Sequence, residues 1–141
     1  MRRILILSRG TALYGVFDNA VACLTSELYR KGVDVDVVDI TQPKEKLKDF
    51  FASMHREEYD AALAINATEL NKLFIGEDNY FDLLNVPFIN WIIDHPIDHH
   101  AMLIAPIKNY YVICLDRDHV SFVKRCYPEI LGGVVSAAAG D

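Results

Sequence analysis

The chain has 141 residues, 52% of them hydrophobic and 24% charged, and a formal net charge of −6. That length is one domain, 1–141, and the composition builds a core instead of a disordered coil. The acidic balance repels phosphate backbones and anionic membranes, and the lysines at 44, 46 and 48, interrupted by Glu45, read as a solvated helix face, so no nucleic acid is expected as a partner.

Cys23, Cys114 and Cys126 are an odd set without paired spacing, each in an apolar, periodic segment. They are expected as buried free thiols of a reducing compartment, the cytoplasm. The opening MRRILILSRG has too short an apolar stretch for a signal peptide, and no segment nears the ~18 apolar residues of a membrane span.

In chain order, RILILS (Arg3 to Ser8) is a continuous apolar strand of the kind covered on both faces. After the loop RGTALYG, Phe17, Ala20, Val21, Leu24 and Leu28 share one face of a helix over Val16 to Lys31, with Gly32 as its cap. VDVDVVDI (Val33 to Ile40) is the second strand. In the next helix Pro43 stands near the first position, and Leu47, Phe50, Phe51 and Met54 share a face. Asp60 to Asn66 is the third strand, followed by helical residues from Thr68 to Phe74 and a shorter helix over Tyr80 to Leu84. Val86 to Asp94 is the fourth strand, with a helix from Ile97 to Ile104. Asn109 to Asp116 is the fifth, with the helix RDHVSFVKRCY stopped before Pro128, and ILGGVVSA begins a sixth.

Strands alternating with helices imply an α/β fold: a Rossmann-like, doubly wound parallel sheet of five to six strands with helices on both faces. The expected strand order is 3-2-1-4-5-6, with a flavodoxin-like order as the alternative. Ligands of such sheets sit outside the carboxyl ends of the strands where the order reverses, here between strands one and four. The loop after strand one brings Ser8, Arg9, Gly10, Thr11 and Tyr14; the loop after strand four brings Asp94, His95 and Pro96. Asn66, Thr68 and Glu69 close strand three, and Asp116, Arg117, Asp118 and His119 close strand five.

Each candidate also has a plain structural role. Asp94 suits a tight turn that accepts backbone N–H groups, and Asp98, Asp116 and Asp118 suit helix N-caps. His99 and His100 fall in the first turn of a helix, open to water. Arg9 suits a phosphate or carboxylate ligand and equally suits an ion pair with Asp94. His95 and His99 have the i, i+4 spacing of a metal pair, but Pro96 at the first helical position leaves His95 outside the helix, no cysteine is nearby and no second histidine pair occurs elsewhere, so no metal is expected. Trp91 is expected in the core. The dinucleotide fingerprint, the phosphate-binding loop and the hydrolase nucleophile elbow are all missing from the sequence.

The run PFINWIIDHP (Pro87 to Pro96), with the strand ending Leu115-Asp116-Arg117-Asp118-His119, resembles the glycosyltransferase-like proteins of the spore-maturation (CgeB-like) group. The resemblance spans Pro87 to Pro128. It implies the acceptor-binding amino-terminal half of a two-domain GT-B transferase. The nucleotide-sugar donor would be held by a carboxyl-terminal half outside these residues, the acceptor would be a glycan or protein, and no cofactor would belong to this half. By that resemblance Asp94 and His95 would face the cleft. His95 is favoured as general base, with Asp94 orienting it or binding a sugar hydroxyl, and Asp116, Arg117 and His119 would line the acceptor side. The competing expectation is a small non-catalytic Rossmann- or flavodoxin-like nucleotide-binding or regulatory module using the same crevice.

Overall fold

The computed structural model describes residues 2–9, 16–68, 70–130 and 132–137. The apolar runs form the strands β1 (Arg2–Ser8), β2 (Val33–Asp39), β3 (Ala61–Ile65), β4 (Phe88–Trp91), β5 (Tyr110–Cys114) and β6 (Gly133–Ser136) of one sheet, in which every neighbouring pair is parallel. The helices are α1 (Val16–Arg30), α2 (Lys44–Ala52), α3 (Tyr80–Leu83), α4 (His100–Leu103) and α5 (Arg117–Cys126), with a 3-10 turn over Pro96–His99 leading into α4. The doubly wound α/β architecture is therefore as expected.

The strand order is not the one favoured from sequence. It runs β2-β1-β3-β4-β5-β6, the flavodoxin-like alternative extended by one strand. β1 pairs with β3 through Ile4↔Ala61 to Leu7↔Ala64, so β3, and not β4, lies beside it. An alternating β/α pattern is the same for both orders; the choice is made by nonlocal packing. The order reverses between β1 and β3, so the expected crevice between strands one and four is displaced by one strand.

The two faces are covered unequally. On one, α2, α3, α4 and α5 bury Leu47, Phe51, Tyr80, Phe81, Met102 and Val123 against Leu5, Leu7, Phe88, Val112 and Cys114. Stacked pairs Phe51–Tyr80 at 4.2 Å and Phe81–Phe88 at 4.3 Å order this layer, each worth about 0.5–1.5 kcal/mol beyond the buried area. On the other face, Ala20 and Leu24 of α1 pack on Leu63 and Ile65, with Ile89 and Trp91 alongside. Past them Tyr111 and Val135 remain exposed on β5 and β6. Val21 of α1 is buried, while the side chain of Phe17 lies outside the described part.

Buried polar groups tie the strand ends together. Asn90, fully buried on β4, accepts from the Ala67 N–H and donates to the Tyr110 hydroxyl, which donates to the Met102 carbonyl at 2.8 Å. Gly32 ends α1 at φ 80°, as its cap role requires. Any side chain at Gly132 would collide with the Tyr110 carbonyl.

Three expectations change. The helix expected over Thr68 to Phe74 is reduced to a 3-10 turn at Leu70–Lys72, and Phe74–Ile75 instead pairs antiparallel with Asp78–Asn79 around Gly76. Gly76 supplies a positive φ of 63° that turns the ribbon, and a seven-residue segment is too short for its apolar spacing to tell a turn from a helix. The helix from Ile97 begins as a 3-10 turn at Pro96. Of the cysteines only Cys114 is buried; Cys23 and Cys126 are exposed free thiols, Cys23 on the open flank of α1 and Cys126 on the last turn of α5. Among the described residues no helix is long and apolar enough to cross a membrane.

Candidate functional site

Parallel strands place all their carboxyl ends on one rim. Ser8 and Arg9 leave β1 there, Asn66 leaves β3, the Asp94-His95-Pro96 corner follows β4, and Asp116 follows β5. Gly10, Thr11, Tyr14 and Glu69 lie outside the described residues. Ser8 is nearly buried and its carbonyl accepts from the Ile40 N–H, while Arg9 is half-buried.

The rim is organised by Asn66. Its backbone sits at φ 49°, a left-handed conformation that asparagine tolerates better than most side chains. Its side chain is used at both ends. Oδ1 accepts from the Ile93 N–H at 2.9 Å, and Nδ2 donates to Asp94 Oδ2 at 2.9 Å. Its own N–H bonds to the Trp91 carbonyl. β3 thus fixes where the chain leaves β4 and which way Asp94 points.

Asp94 is 59% exposed at its side chain, and the same Oδ2 lies 3.5 Å from His99 Nε2. His99 was expected in water; its side chain is only 9% exposed, and Nε2 is buried without a hydrogen bond. The 3-10 turn that Pro96 starts folds His99 back under the corner, a closure that the i, i+4 spacing for a regular helix does not anticipate. His99 is the rim residue that sequence reasoning missed; the proline followed by a short polar turn was its signal.

His95 takes other partners. Its Nδ1 accepts from the Ile97 N–H at 3.1 Å, capping the turn, and its ring meets His119 at 4.8 Å and Phe122 at 5.0 Å edge-on. A neutral imidazole whose Nδ1 accepts carries its proton on Nε2, so it presents a donor to the rim. Adjacent Asp94 and His95 therefore engage different neighbours, and the imidazole that Asp94 faces is that of His99. Asp116 performs the capping role expected of it, accepting from the His119 N–H at 2.9 Å, and Arg117 and Asp118 are exposed on the first turn of α5. The His119 Nδ1 is buried with no hydrogen bond. Among the described residues no group of three or more His, Cys, Asp or Glu is placed to hold a metal ion.

The arrangement is thus one oriented carboxylate, one imidazole donor and a buried imidazole behind them, on a rim rigidly anchored to β3. It can accept a proton from, or hydrogen-bond, a hydroxyl compound. Comparison with protein-family models, with curated proteins and with solved structures returns no match for this chain.

Proposed function

We propose that this chain is the acceptor-binding half of a GT-B-like glycosyltransferase, acting with a donor half that holds the nucleotide sugar. The observation that carries the reading is the Asp94 carboxylate, exposed at the rim yet held by Asn66 and faced by His99. In the reaction the acceptor hydroxyl oxygen bonds to the anomeric carbon as the bond from that carbon to the nucleotide phosphate breaks; the hydroxyl proton goes to Asp94 and the phosphate leaves with the bonding pair. Asp94 takes the base role, because the His95 lone pair at Nδ1 is already engaged and its Nε2 donates to the substrate. Arg117 and His119 line the acceptor side.

The test is transfer with the donor half present. Asp94→Asn lowers turnover at least about a hundredfold, as loss of general base catalysis does, with little change in thermal midpoint, and the 141-residue chain alone transfers no sugar. Robust transfer by the isolated chain, or an Asp94→Asn enzyme of normal turnover, overturns the assignment.

One observation favours a second reading, a nucleotide- or flavin-binding or regulatory module. The flavodoxin-like order puts the reversal between β1 and β3, at Ser8 and Arg9. Saturable binding of a nucleotide or flavin to the chain, abolished by Arg9→Ala and indifferent to Asp94→Asn, supports that reading.

A further inference from the structure

Among the described helices α1 alone lies on the sheet face that carries Ile89 and Trp91. Across β4, β5 and β6 that face is left bare, and the register sets its rows. Trp91 stands beside Ile113 and Ile113 beside Val135; Ile89 stands beside Tyr111 and Tyr111 beside Gly133. Ile93 and Leu115 continue the same alternation past the ends of β4 and β5. Of the ten large hydrophobic side chains exposed among the described residues, four belong to this face: Ile93, Tyr111, Leu115 and Val135, at 36% to 56%. None of the three strands contains a charged residue. Gly133 keeps the surface flat, with the Tyr111 ring 3.6 Å from the point where its Cβ would stand.

We propose that this face is the interface of a two-fold dimer, covered by the same face of a second copy of the chain. Area and width choose the occupant. The exposed parts of these side chains amount to about 500 Å2, near the top of what a monomer leaves in one apolar patch. With a polar margin that is the apolar core of the roughly 800 Å2 per partner that a stable pair buries, in the proportion of about 65% found between identical subunits. Three strands about 4.8 Å apart make the face about 14 Å wide, more than one helix of about 10–12 Å covers. A second flat sheet, packed about 10 Å away, covers all of it. A two-fold axis uses the patch on both copies and leaves none for a third, so association stops at two. Each copy carries a net charge of −6, so the pairing is apolar in origin and tightens as salt screens the repulsion.

The test is sedimentation velocity of the chain over a concentration series. A monomer of 16.0 kDa is expected to give way to a dimer and to nothing larger. Val135→Lys raises the dissociation constant at least about a hundredfold, because each dimer then buries two unpaired ammonium groups. The milder Leu115→Gln raises it about tenfold and keeps the test open should the lysine disturb the edge strand. Ile104→Lys, at a side chain equally exposed beside α4 on the opposite face, leaves the constant unchanged. A strict monomer at the highest concentration, which would leave the face to a segment of another chain, overturns the proposal. Open-ended association overturns it too, as does a dimer that Ile104→Lys weakens as much as Val135→Lys and Leu115→Gln do.

Discussion

The side-chain amide of Asn66, at the end of β3, donates to the carboxylate of Asp94, at the corner after β4, across 2.9 Å. The bond joins two loops 28 residues apart and is made by a residue in a left-handed backbone. Asn66→Ala loses it, leaves the Ile93 N–H without its acceptor and strains the backbone. The expected cost is about 2–4 kcal/mol, read from urea unfolding. Asn66→Gly relieves the backbone part alone, so it falls between wild type and Ala; equal losses for Gly and Ala would show that the left-handed backbone costs nothing here.

His95 is held as a cap and not as a free base. Nitrogen-edited NMR of the neutral ring is expected to find the proton on Nε2, because the Ile97 N–H occupies Nδ1. His95→Ala removes the cap and lowers stability by about 1 kcal/mol. A ring protonated at Nδ1 would contradict the geometry of this turn.

Much of this was legible from residue patterns. Continuous apolar runs such as Ile4 to Leu7 read as strands covered on both faces, and Gly32 and Asp116 read as caps, because local backbone chemistry decides those features. The strand order was not legible: β1 beside β3 depends on packing between segments more than fifty residues apart. The His99–Asp94 contact stayed hidden for a related reason. It exists because Pro96 opens a 3-10 turn in place of a regular helix, and side-chain spacing alone does not distinguish the two.

At the opposite rim, Arg3 forms a forked bond to Asp36, and the Tyr59 hydroxyl donates to the same oxygen at 2.7 Å. The Tyr59 hydrogen bond, with Arg3 adding to it against the opposing effect of burial, holds the Asp36 carboxyl below its usual range. Burial, then Asp36, pushes the Tyr59 phenol upward. The Asp36 contribution is present above the unfolded carboxylate value and fades as pH falls through the lower folded one. The Tyr59 contribution is present below the unfolded phenol value and fades as pH rises beyond it. The urea midpoint of wild type therefore falls more steeply than that of Tyr59→Phe between about pH 6 and about pH 2; parallel curves would deny the coupling.

The three thiols are expected to separate by reactivity. Cys114 is buried, and burial, with the Asp116 carboxylate adding to it, pushes its thiol up to about 11. Cys23 and Cys126 are exposed. An aromatic disulfide reagent should titrate those two promptly and Cys114 only after denaturation. Prompt reaction of all three would show that the layer between α5 and the sheet opens readily.

The proposed meeting of a hydroxyl-bearing acceptor with Asp94 is tested by an amide NMR titration that compares glycans with nucleotide sugars and flavins. Glycans are expected to shift Asn66, Asp94, His95 and His99, Asp94→Asn to weaken the effect, and nucleotide sugars to leave the spectrum unchanged. Shifts confined to Ser8, Arg9 and the ends of β1 and β3, produced by nucleotide or flavin and never by glycan, would contradict it.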